Sequence, residues 1–146
     1  MNLPKEFEEY VKQGIIKKCS INKPRADFLI NESDKSLRGL NKRLDAMDID
    51  DDNANSIIKD CYDILMELIR AKLFLSGYSS AGQFANEAEV SYLKKLDFTD
   101  NQISFLNDLR YFRNSITYYG KILSTEYAKQ VVEFTKKTHP KLKEKI

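Results

Sequence analysis

The residues best equipped for chemistry are Arg110, Arg113 and Asn114, followed by Thr117, Tyr118 and Tyr119. Spaced by three and four, Arg110, Arg113, Asn114 and Thr117 share one side of any helix, because each residue turns the chain by about 100°. Two guanidiniums one turn apart repel each other unless an anion or a carboxylate sits between them. Arginine is also the side chain best shaped to grip a phosphate through two parallel hydrogen bonds. The alternative is structural: an Asp or Glu from a neighbouring helix pairs with each arginine. Spacing alone leaves both readings open. Tyr118 and Tyr119 either stack on bases or plug the end of a bundle with their hydroxyls in water.

Other reactive residues point to less. Cys19 and Cys61 lack metal or redox spacing, and Cys61 lies on an apolar helical stripe, as a buried thiol would. The acidic run 48–53 reads as capping for the helix that follows, where carboxylates meet free N–H groups and the positive end of the dipole. Residues 76–83, Ser-Gly-Tyr-Ser-Ser-Ala-Gly-Gln, lack the Gly-Lys-Ser/Thr ending of a phosphate loop and read as a plain loop. His139, the only histidine, precedes Pro140, where it would close a helix and face its negative end. The sequence offers no metal-ligand set and no cofactor motif.

Composition sets the frame for these residues. The chain has 146 residues, enough for one domain with a continuous core, and its 42% hydrophobic and 32% charged residues fit a globular protein. A net charge of +2 is too small to imply nucleic-acid binding by itself. The start, Met-Asn-Leu-Pro-Lys-Glu-Phe-Glu-Glu-Tyr, does not read as a signal peptide, and no apolar run is long enough to cross a membrane, so a cytoplasmic protein is expected. Scarce glycine and proline favour long helices.

Periodicity then divides the chain. Helical spacing predicts a first helix over 4–18, and a second opened by Pro24, with Ala26, Leu29, Ile30, Ser33, Leu37, Leu40, Leu44 and Met47 along its seam. A third over 54–75 carries the broadest apolar stripe, from Ile57 to Leu73, and Gly77 stops it. A short helix over 85–95 follows. Thr99 and Gln102 form a capping box for the helix bearing the arginines, which breaks before Gly120. Ser124 caps a last helix to about 138, followed by a basic tail over 136–146. In the arginine helix, Phe105, Leu109, Phe112 and Ile116 form the expected core face. Ile103 and Leu106 lead into the arginine side, and Ser104, Asn107, Asp108, Tyr111 and Ser115 are expected in water. The fold class is all-α: an up-and-down bundle of five to six helices in one domain.

The run Arg110-Tyr-Phe-Arg113-Asn114-Ser-Ile-Thr-Tyr118-Tyr119-Gly120 resembles the signature of the HEPN superfamily: an arginine, usually followed by a polar residue, and then a histidine four to six residues further on. The helices before it, the glycine break and the Ser-capped helix after it agree with that family's architecture. The resemblance implies a helical bundle that pairs into a two-fold homodimer, with the motifs of both protomers meeting in a cleft. It also implies RNA or nucleotide phosphate as the ligand, in metal-independent ribonucleases of toxin or defence type. Other members are non-catalytic partners of small nucleotidyltransferases. Carried over, Arg113 is the motif arginine, Asn114 the polar residue after it and Tyr118 the residue at the histidine position. Arg110, Thr117 and Tyr119 become substrate contacts.

Tyrosine in place of histidine changes the chemistry. Metal-free RNA cleavage needs a base for the 2′-hydroxyl, an acid for the leaving oxygen and cations for the phosphorane. With a pKa of about 10, roughly one tyrosine in a thousand is ionised at neutral pH, so Tyr118 is a poor base and at best an acid. Losing the acid–base partner costs about 10² to 10⁴ in rate while phosphate binding survives. The sequence therefore predicts a weak or inactive ribonuclease-like module. The competing reading is a protein-interaction bundle whose arginines are paired with carboxylates. Exposure of the two arginines discriminates between them.

Overall fold

A computed structural model describes residues 1–119 and 123–146, apart from the side chains of Tyr118 and Tyr119. The helices are α1 (Phe7–Lys12), α2 (Lys23–Ala46), α3 (Ala54–Leu75), α4 (Ala85–Ser91), α5 (Asp100–Tyr119) and α6 (Thr125–Glu144), with a 3-10 turn over Tyr92–Leu96 after α4. The all-α bundle expected from the sequence is present. It carries a small addition: strands β1 (Ile16–Lys18) and β2 (Tyr78–Ser80) pair antiparallel, Ile16 opposite Ser80 and Lys18 opposite Tyr78.

α3 is the axis of the core. Ile57, Ile58, Cys61, Ile64, Leu65, Met66, Leu68 and Ile69 are all buried, and the helix packs on α2, α5 and α6. A helix apolar on so much of its circumference is stable only when enclosed by others. α2 lies along it and is pinned where the Ser33 hydroxyl donates to the Ile64 carbonyl at 2.7 Å, so a polar residue on the α2 seam is buried and satisfied. Asn22 caps α2 by accepting from the Arg25 N–H, with Pro24 in the first turn.

Several boundaries differ from the sequence expectation. The first helix stops at Lys12 because Gly14 takes φ +77°, and residues 16–18 continue as a strand. The stretch expected to be a loop after α3 contains β2. Gly77, at φ +80°, turns the chain there, and a Cβ at this position would lie 3.2 Å from the Cys19 carbonyl oxygen. The short helix ends at Ser91 and tightens into the 3-10 turn. α6 runs through Pro140 to Glu144, so the basic tail is helical. Pro140 and Lys136, four residues earlier, are both exposed, so water can take the carbonyl that the proline leaves unpaired. Thr138, His139 and Leu142 are buried, and their packing carries the helix onward.

Two local signals behave as their chemistry requires. The Thr99 N–H donates to Gln102 Oε1 at 3.0 Å and the Gln102 N–H to Thr99 Oγ1 at 3.2 Å, a reciprocal box at the start of α5. Ser124 accepts from the Tyr127 N–H at the start of α6. In the acidic connection, Asp50 accepts from the N–H groups of Asp52 and Asn53 within the turn before α3. The expected carboxylate cap is not formed: the N-cap is Asn53, whose side chain bonds none of the first N–H groups of that helix. Among the described residues, no helix is long and apolar enough to cross a membrane.

Candidate functional site

The direction of the arginines is decided by the rotation of α5. Ile103, Leu106 and Leu109 are buried, whereas Phe105, Phe112 and Ile116 are only partly covered. The core face is therefore centred on Ile103 and Leu106, one stripe over from the expected one. Arg110, Arg113 and Asn114 continue that stripe, so they project toward the neighbouring helices. The side expected in water is also revised: Ser104, Asn107 and Ser115 are buried. The N-terminal segment covers part of this side, with the Asn2 N–H on Ser104 Oγ and the Asn107 amide on the Asn2 carbonyl. Tyr111 is exposed, as expected.

Each arginine meets a carboxylate. Arg110 donates from Nε to Asn107 Oδ1 at 2.9 Å, and its Nη2 lies 3.7 Å from Glu87 Oε1 of α4. Arg113 Nη2 lies 3.9 Å from Asp63 Oδ1 of α3, and its guanidinium sits over the Tyr62 ring, 5.5 Å from the centroid. Their side chains are 18% and 25% exposed, so neither stands free in an open cleft. Both ion pairs are longer than a hydrogen bond. Asp63 is itself more than half exposed, so water screens that pair, and its pKa is raised, by burial first with Arg113 opposing. Arg113 Nε is buried without a hydrogen-bond partner among the described residues.

A third pair completes the cluster. Arg70 of α3 donates from Nε to both Glu89 oxygens, at 2.9 and 3.2 Å, and from Nη2 to Asn86 Oδ1 at 3.2 Å. The Ser80 hydroxyl of β2 donates to the same carboxylate, whose side chain is 3% exposed. Burial raises the Glu89 pKa, while Arg70 and Ser80 oppose that rise. Tyr62 sits among these pairs, with its hydroxyl buried, unpartnered among the described residues and pushed up to about 12 by burial. Arginines from α3 and α5 thus alternate with carboxylates from α3 and α4. An anion entering this cluster would displace carboxylates already in place. Sequence reasoning missed Arg70, Glu89, Glu87 and Asp63. The available signal was Arg70 itself, a charge set into the most apolar helix, which needs a buried partner.

A groove of about 530 Å³ runs along α2 and α3, lined by Ser36, Gly39, Arg43, Asp60, Asp63, Glu67 and Arg70 among others. Arg43 is taken by Asp60 at 2.8 Å. Glu67 is held up at about 7 by burial, reinforced by Asp63 and by Glu32 of α2, with Arg70 pulling the other way. This wall is acidic where the groove passes the Arg113–Asp63 pair.

The remaining expected residues fall as follows. Asn114 is half-buried and Thr117 exposed near the end of α5. The side chains of Tyr118 and Tyr119 lie outside the described residues, as does the break at Gly120. His139 is neither a helix end nor a partner of the α5 arginines. It lies inside α6 with Nε2 3.3 Å from Asp34 Oδ1, and Lys143 Nζ holds the other oxygen of that carboxylate at 2.6 Å. Burial lowers its pKa against the pull of Asp34. Cys61 is buried and its thiol is pushed up to about 11 by burial, while Cys19 is exposed, and both are free.

Comparison with protein-family models, with curated proteins and with solved structures finds no match.

Proposed function

We propose that this chain is a HEPN-like cytoplasmic interaction module that works by docking a protein partner, and that Arg110 and Arg113 hold its helices together rather than cut RNA. The supporting observation is that each arginine is largely covered and placed beside a carboxylate, Glu87 for Arg110 and Asp63 for Arg113. A catalytic pair would need its donors free to meet a phosphorane. The lone histidine lies in α6 beside Asp34 of α2 and not beside the arginines, so it supplies no acid or base there. Within the resemblance, the fitting partner class is a small nucleotidyltransferase, and a homodimer remains part of the proposal. Ile103 and Leu106, which could have lined a dimer face, are spent in the core.

One observation favours a second reading, phosphate binding without cleavage. Arg113 combines a long ion pair with a side chain that is 25% exposed, so the outer end of its guanidinium retains donor capacity. Incubating pure protein with mixed RNA separates the readings. The docking module leaves RNA intact and shows no salt-dependent RNA binding, and Arg113→Ala lowers thermal stability. Salt-dependent binding without cleavage, lost in Arg113→Ala, would select the second reading. Rapid cleavage abolished by Arg113→Ala would overturn both.

A further inference from the structure

A second groove, of about 380 Å³, lies beside the two-stranded sheet, with Arg25, Phe74, Ser80, Asn86 and the Arg70–Glu89 pair on its walls. Arg70 is held on one edge only. Its Nε is fixed by Glu89 and one Nη2 proton by Asn86, while Nη1 makes no hydrogen bond to any described residue and the side chain is 34% exposed. A guanidinium locked by a buried carboxylate and a side-chain amide, with one edge open, is a preorganised oxyanion receptor.

Charge selects the ligand. Arg25 and Arg70 outweigh Glu89 by one positive charge among the lining residues, so one negative charge balances the groove. A phosphate dianion would overshoot, meeting Glu89 here and Glu67 and Asp63 in the adjoining groove that Arg70 also lines. Apolar surface selects the rest. Leu73 and Phe74 line the groove, and the Arg25 guanidinium lies 5.2 Å from the Phe74 ring centroid. A few fixed polar groups set in apolar walls are the general form of an organic-ligand site.

We infer that this groove is a receptor for an organic monocarboxylate, its carboxylate on the open edge of Arg70 and its apolar body against Phe74. The carboxylate can belong to a free acid or to an acidic side chain of a peptide. Amide-resolved NMR titration of the full chain distinguishes these sources, with phenylacetate as the free acid and acetyl-Phe-Glu-Phe-amide as the peptide. Phenylacetamide, acetyl-Phe-Gln-Phe-amide and inorganic phosphate serve as controls. At least one acid should shift the Ser80 and Asn86 amides saturably, at least about tenfold more tightly than its neutral counterpart or phosphate. Tighter binding of phenylacetate identifies a free acid, and tighter binding of the peptide identifies a protein segment.

Arg70→Lys keeps the charge but loses the planar fork, and should weaken the acid about tenfold. Arg25→Ala, at an exposed position, should weaken it about threefold. If Arg70→Lys fails to fold, Arg25→Ala carries the test, and unaltered affinity there counts against the receptor. The inference is overturned if neither acid shifts these amides by about 10 mM. It is equally overturned if the neutral amides bind as tightly as the acids, if phosphate binds more tightly than both acids, or if a folded Arg70→Lys retains full affinity.

Discussion

Glu67→Gln should stabilise the protein at pH 8 and do almost nothing at pH 4. Glu67 is partly buried on the α2–α3 groove, between Asp63 on its own helix and Glu32 on α2, and its carboxyl is held at about 7 against an ordinary 4.5. The folded state therefore keeps the proton more tightly than the unfolded chain. The stability Glu67 lends is complete below about pH 4.5 and is lost as pH rises through 7. Unscreened, that shift is a difference of about 3 kcal/mol between the two forms, and solvent in the open groove reduces it to about 1 kcal/mol. Glutamine keeps the shape and removes the charge. For a chain of this size, about 1 kcal/mol is a rise of roughly 2–4 °C in Tm. Thermal unfolding of both proteins at pH 4, 6 and 8 tests this, with the gap opening as pH rises. A gap of the same size at every pH would refute the reasoning, since packing and not charge would then be responsible. Loss of stability at pH 8 would refute it differently, by showing that ionised Glu67 is paired with a cation such as Arg70.

Three further outcomes follow from the same structure. Tyr62→Phe removes a buried hydroxyl that has no partner among the described residues, so urea unfolding should show unchanged stability or a gain of up to about 1 kcal/mol. Arg70→Ala leaves the Glu89 carboxylate buried with only Ser80 to hold it, and calorimetry should show a loss of about 3–5 kcal/mol, much of it recovered when Glu89→Gln is added. Thr99→Ala breaks one half of the capping box on α5 and should cost about 1 kcal/mol by chemical denaturation, whereas Thr99→Ser should cost little.

What the sequence determined was local. Helix existence follows from apolar spacing within a few turns, so α2, α3 and α5 are legible from their own residues. The same holds for the caps, because Thr99 with Gln102 and Ser124 with Tyr127 act over three positions. Cys61 reads as buried because its neighbours on the stripe are Ile58, Ile64 and Leu65. The tertiary structure decided everything that joins distant segments. Residues 15–18 are apolar enough to extend a helix, and they become a strand because the turn at Gly14 delivers them to Tyr78–Ser80 after α3. α6 continues through Pro140 because Thr138, His139 and Leu142 are packed on both sides of it. On α5, the stripe through Phe105, Leu109, Phe112 and Ile116 is the core face the spacing predicts, and Ile103 and Leu106 on the neighbouring stripe lead into the arginines. The neighbouring helices bury Ile103 and Leu106 and, of the predicted face, Leu109 alone, and that rotation turns Arg110 and Arg113 inward toward Glu87 and Asp63. A charge can be recognised in a sequence, but its partner is supplied by whichever helix the packing brings beside it.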